Sequence, residues 1–116
     1  MSASKARLGA GNVEIELDGE TVVLKPTLLA CQTLSRQAGG LSAAVEAVGR
    51  MDFDMLVSVI ALGLNKKPND VADAVWRTGM TNLIAPAIRF LTIVSNGGRP
   101  LEGTGGSEDE ENPQDA

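Results

Sequence analysis

Residues 13–30 read VEIELDGETVVLKPTLLA, and this stretch decides the fold. Asp18-Gly19 is a two-residue hairpin signal, because a type I′ turn requires positive φ at both central positions. With those two in the turn, Leu17 faces Glu20, Glu16 faces Thr21, Ile15 faces Val22, Glu14 faces Val23 and Val13 faces Leu24. That register collects Val13, Ile15, Val22 and Leu24 on one face and Glu14, Glu16 and Thr21 on the other. An apolar face this small needs a cover, and helical sequence follows at once. Lys25-Pro26 ends the second strand, since proline donates nothing to a ladder. Thr27 is a natural N-cap for the apolar run behind it.

Outward from this stretch the pattern is helical. The first helix is expected from Leu28 to Ala38, with Leu28, Cys31, Leu34 and Ala38 inward and Gly39-Gly40 as the stop. A short second helix begins after Ser42 and includes Val45 and Val48. Asp52 caps a third, whose apolar face is Phe53, Leu56, Val57, Ile60, Ala61 and Leu64. Asn65–Asn69 is read as a connector blocked by Pro68. A fourth helix is expected from Asp70 to Thr78, with Val71, Ala72 and Val75 inward and Gly79 as its stop; Trp76, one position off that face, either completes the core or stands partly exposed as a contact residue. The fifth is expected to start near Thr81 or Asn82, with Pro86 in its first turn, and to reach Ser95. Its stripe is Leu83, Ile84, Ala87, Ile88, Leu91 and Val94. The fold class is therefore α+β, an N-terminal β-hairpin followed by about five short α-helices.

The chain of 116 residues divides into a flexible N-terminus (1–11), one α+β domain (12–96) and a disordered, acidic, Gly-rich tail (97–116). The formal net charge is −5. All of it belongs to the tail, where six acids stand against Arg99, while residues 1–96 carry nine charges of each sign. A neutral body argues against broad nucleic-acid affinity, which needs a basic surface to displace counterions. The N-terminal residues lack the apolar core of a signal peptide. No stretch approaches the length of a membrane span, so the expected location is the cytoplasm.

Catalytic motifs are missing. There is no histidine and one cysteine, which removes His-based acid/base chemistry, Cys/His zinc sites and an internal disulfide. Cys31 reads as a small buried hydrophobe. Asp52, Asp54, Asp70 and Asp73 are the acids a metal cluster would draw on, but each stands at a predicted helix start, where capping and the helix dipole account for it. Gly9-Ala10-Gly11 precedes a strand instead of following one, and the glycines after 102 lie in the tail, so neither forms a phosphate cradle. No catalytic residue, cofactor or metal is expected. The third and fourth helices with Lys66, Lys67 and Arg77 suggest a helix-turn-helix, yet Asp70 and Asp73 sit where a recognition helix meets DNA. Contact with another protein is the remaining role, and Trp76 and the stripe residues Leu83, Ile84, Ile88 and Leu91 are its candidates.

A hairpin of the form VEIELDGETVVLKPTLLA ahead of a small all-helical remainder resembles the tail assembly chaperones of gene transfer agents and related long-tailed phages. The likeness spans roughly residues 12–95 and rests on the hairpin, the Pro26-Thr27 helix start and the chain length. It implies a chaperone that keeps the long, apolar, helical tape measure protein in solution during virion assembly while tail tube subunits polymerise around it. Such a protein works in the host cytoplasm and is absent from the finished particle. The tape measure protein is the implied partner, with the tail tube protein a second one, and no nucleic acid or membrane. A weak homo-oligomer is expected from the small size of the domain. The alternatives are a helix-turn-helix-like DNA-binding regulator and a structural tail or head-completion protein. The acidic tail extends past the likeness, as a solubility tag or as the junction to a frameshifted extension.

Overall fold

The computed structural model describes residues 11–100 of the chain. Strands β1 (Val13–Leu17) and β2 (Glu20–Leu24) form an antiparallel hairpin. Five helices follow: α1 (Leu28–Ala38), α2 (Leu41–Gly49), α3 (Phe53–Leu64), α4 (Pro68–Thr78) and α5 (Met80–Ser95). The architecture is α+β, as the alternation and turn chemistry required. The loose N-terminus and acidic tail expected from composition lie outside the described residues, except for Gly11 and Gly97–Pro100.

The turn residues take left-handed conformations, with φ of 54° at Asp18 and 84° at Gly19, and the register from Val13↔Leu24 to Leu17↔Glu20 is the one the sequence implies. Val13, Ile15, Leu17 and Leu24 are buried, while Glu14, Glu16 and Thr21 are exposed. Thr27 caps α1, its hydroxyl accepting from the Ala30 N–H at 3.0 Å. Asp52 caps α3 in the same way, Oδ1 accepting from the Met55 N–H at 3.1 Å.

Helix α3 is the centre of the molecule. It packs against β2, α1, α2, α4 and α5, and every residue from Met55 to Ala61 is buried. It is therefore apolar nearly all round and not merely along one stripe. Its one buried polar side chain, Ser58, is satisfied by Gln37, whose amide donates to the hydroxyl at 2.9 Å. Where β2 crosses its last turn stands Gly63. A Cβ there would lie 2.9 Å from both Cβ and Cδ2 of Leu24, so only hydrogen fits. The close approach lets the Lys25 N–H donate to the Gly63 carbonyl at 2.9 Å.

Several helix boundaries and faces differ from the sequence expectation. Helix α2 starts at Leu41, with Gly40 and not Ser42 before it. Pro68 does not sit in a connector but opens α4, at the position where a missing N–H matters least. Helix α5 begins at Met80, directly after Gly79 with φ 96°, which carries Pro86 out of the first turn into the helix interior. On α1 the inward positions are Ala30 and Leu34, and Leu28 is 72 % exposed. Leu28 precedes Ala30 by two residues, about 200° round the helix, so both cannot face the core. Trp76 does not complete the core either; it is 75 % exposed. The aromatic of the core is Phe90 of α5, which is fully buried together with Leu83 and Leu91.

Past the end of α5 the chain stays hydrogen-bonded as far as Pro100. The Gly98 N–H donates to the Ile93 carbonyl at 2.9 Å, and the Asn96 amide donates to the carbonyls of Arg99 and Pro100. Gly11 meets the Gly98 carbonyl oxygen where a side chain would collide with it, so the two ends of the described chain pack together.

Candidate functional site

Two apolar grooves open on either side of the start of α1. One, of about 710 Å³, runs along the free edge of β2 and is lined by Thr21, Val23, Lys25, Leu29, Leu62 and Leu64 among others. The other, of about 240 Å³, is lined by Pro26, Leu28, Cys31, Val94, Gly97 and Gly98. Leu28 and Leu29 stand between the grooves as consecutive exposed leucines, Leu29 at 59 % exposure. They are there because α1 packs against α2, α3 and α5 through its other face. Ala30 and Leu34 then take the inner face, and the two leucines of the first turn are turned outward.

A third groove, of about 740 Å³, follows the free edge of β1 and is polar, lined by Glu14, Glu16, Asp18, Arg77, Asn82 and Arg89 among others. One end of it is closed by a clamp between the hairpin turn and α4. The Arg77 guanidinium donates to Asp18 Oδ2 from Nε at 3.1 Å and from an Nη at 2.8 Å. The Asp18 N–H donates to the Thr78 hydroxyl at 2.6 Å. The hydrogen bonds from Arg77 hold the Asp18 carboxyl below the usual carboxylate range, against the opposing effect of desolvation and with a lesser contribution from the Arg77 charge.

The residues singled out in the sequence do not share one surface. Leu83 and Leu91 are 1 % and 0 % exposed, so they belong to the core and not to a contact face. Ile84 and Ile88 are half-buried at the margin of that core, and Trp76 is the exposed member of the set. Leu28, expected on the inward face, is exposed, and so is Leu29. The signal that would have found them is the run Leu28-Leu29-Ala30: three apolar residues in a row cover about 200° of an α-helix, more than one buried face accepts.

Among the described residues, no group of three or more Cys, Asp or Glu side chains is placed to hold a metal. Asp54 and Asp70 lie in the first turns of α3 and α4, where the dipole favours them. No described helix is long and apolar enough to cross a membrane. Comparison with protein families, curated proteins and solved structures finds no match to this chain.

Proposed function

We propose that this chain is a protein-binding assembly factor, a tail assembly chaperone that holds the tape measure protein of a long-tailed phage or gene transfer agent in solution in the host cytoplasm. The observation that carries the reading is the pair of exposed leucines, Leu28 and Leu29, set between two apolar grooves. Exposed aliphatic surface of this kind is what a partner-binding face looks like before its partner arrives. Adaptable aliphatic contacts, with no aromatic in either groove lining, suit a client that presents long apolar segments and no single anchor. The resemblance carried by the hairpin and the Pro26-Thr27 helix start supports the same role. The tail tube protein is the second partner this role implies.

The test is co-expression with the tape measure protein of a long-tailed phage or gene transfer agent that encodes this chain. The chaperone raises the soluble fraction of that protein several-fold and co-elutes with it on gel filtration. A tape measure protein that stays as insoluble with this chain as without it, and forms no complex, contradicts the proposal.

A further inference from the structure

We infer that the free edge of β2 is a strand-addition site, taking a short extended aliphatic segment of the client into the groove beside it. The inference rests on the chaperone reading for the identity of the client, but the edge geometry stands apart from it.

The argument starts from the turn. A two-residue type I′ hairpin makes its flanking residues a hydrogen-bonded pair, and such pairs alternate with non-bonded ones along the ladder. Leu17↔Glu20, Ile15↔Val22 and Val13↔Leu24 are therefore the pairs that exchange bonds. The amides of Thr21 and Val23 point away from β1, as do those of Glu14 and Glu16 on the other edge. The next outward amide on each side confirms the phase: Lys25 donates to the Gly63 carbonyl, and Asp18 donates to Thr78. Thr21 and Val23 have no backbone partner outside the hairpin among the described residues. Their N–H and C=O groups repeat at about 6.8 Å, the period of a strand.

The two edges are not equivalent. Along β1 the groove carries Glu14, Glu16, Arg77 and Arg89, and charge on an edge discourages pairing. Along β2 the open amides belong to Thr21 and Val23, and the groove walls are Leu29, Leu62 and Leu64 with Lys25 as the one charge. Main-chain pairing with Thr21 and Val23 would supply affinity, and the aliphatic walls would select uncharged side chains at alternate positions.

The occupant is a single extended chain and not a second copy of this protein. A symmetric antiparallel pair that uses both open residues sets Thr21 of one copy opposite Val23 of the other. The same register puts Gly19 of the second copy opposite Lys25. That lane is already filled by the last turn of α3, whose Gly63 carbonyl is bonded to the Lys25 N–H. A peptide that leaves the edge after Leu24 meets no such obstacle.

The experiment uses the full chain and a capped hexapeptide of alternating valine and threonine, read by amide hydrogen exchange in NMR spectra. Saturating peptide slows exchange at Thr21 and Val23 at least tenfold and leaves Glu14 and Glu16 unchanged. The peptide N-methylated at alternate residues binds at least tenfold more weakly. Val23→Pro, which removes an outward N–H without touching the ladder, keeps the cross-strand contacts of β1 and β2 and weakens binding to the same degree. Absence of peptide binding, equal binding of the N-methylated peptide, or protection at Glu14 and Glu16 instead would overturn the inference. So would protection of Thr21 and Val23 without peptide that grows with protein concentration, since that identifies a second copy as the occupant. Solubilisation of the tape measure protein by the wild type and equally by Val23→Pro sinks the edge site and leaves the chaperone role standing. Peptide binding with no effect on the tape measure protein does the reverse.

Discussion

At position 63 a hydrogen atom is all that the crossing of β2 and α3 tolerates. Alanine ordinarily outdoes glycine in a helix interior by about 1 kcal/mol. Here the added Cβ would meet Leu24, itself fully buried, at 2.9 Å. Forcing a methyl group into a filled core costs about 1–3 kcal/mol, so steric conflict outweighs propensity. Gly63→Ala is therefore expected to destabilise the protein, lowering the urea midpoint, whereas a rise would mean that the helix and strand can part at no cost. A second residue-scale effect is electrostatic. The folded carboxyl of Asp18 is held below its ordinary value by the Arg77 hydrogen bonds and charge. A depressed carboxylate contributes stability above its unfolded value near pH ~3.9, and that contribution is lost as pH falls through the folded value. Wild type and Arg77→Met should thus differ at neutral pH and converge below about pH 4, in thermal midpoints followed against pH. The pair is exposed, so the difference is small and shrinks with added salt.

Elements were legible where their signals are local. The hairpin register, the Thr27 and Asp52 caps and the Gly39 stop depend on residues a few positions apart, and each was readable before any packing was known. What depends on packing was not. Which face of α1 turns inward follows from its contacts with α2, α3 and α5, and the apolar run Leu28-Leu29-Ala30 leaves several phases open. Phe90 is buried and Trp76 exposed, and nothing local in the sequence says which aromatic enters the core. Gly63 reads as a flaw in a helix until Leu24 is seen against it. Proline favours a first turn, yet Gly79 at φ 96° starts α5 early and leaves Pro86 inside. Its missing N–H takes the intrahelical donor from the Asn82 carbonyl. Pro86→Ala restores that bond. It should stabilise the protein by about 1–2 kcal/mol, less than the ~3 kcal/mol of an interior proline because the ring also restricts the unfolded chain. A thermal midpoint unchanged or lowered by Pro86→Ala would show that the ring contributes more by packing than it costs the helix.

At the scale of the whole molecule, a small aliphatic core closes on itself while two leucines, a methionine and a tryptophan of the described residues stay outside it. The described chain ends tie together at Gly11 and Gly98, and the Asn96 side chain holds Arg99 and Pro100. The folded unit therefore reaches at least to Pro100 and does not stop at Asn96. Truncation after Pro100 removes one large apolar residue, Leu101, and the acidic run. The thermal midpoint should move by no more than a few degrees, since about 1 kcal/mol corresponds to roughly 4–8 °C in a domain this size. Truncation after Asn96 should cost more, because it removes the Gly98 cap on Ile93 and the contact with Gly11.

The central claim is that the client docks on the apolar surface around Leu28 and Leu29. Both side chains are exposed, so Leu28→Asp with Leu29→Asp should leave the fold intact, with stability changed by about 0.5 kcal/mol per site or less. The most direct measurement is the soluble fraction of the tape measure protein co-expressed with this double variant, beside the wild type and beside Trp76→Ala. Solubilisation is expected to fall to the level without chaperone for the folded double variant and to persist for Trp76→Ala. A folded double variant that solubilises the tape measure protein as well as the wild type would contradict the account.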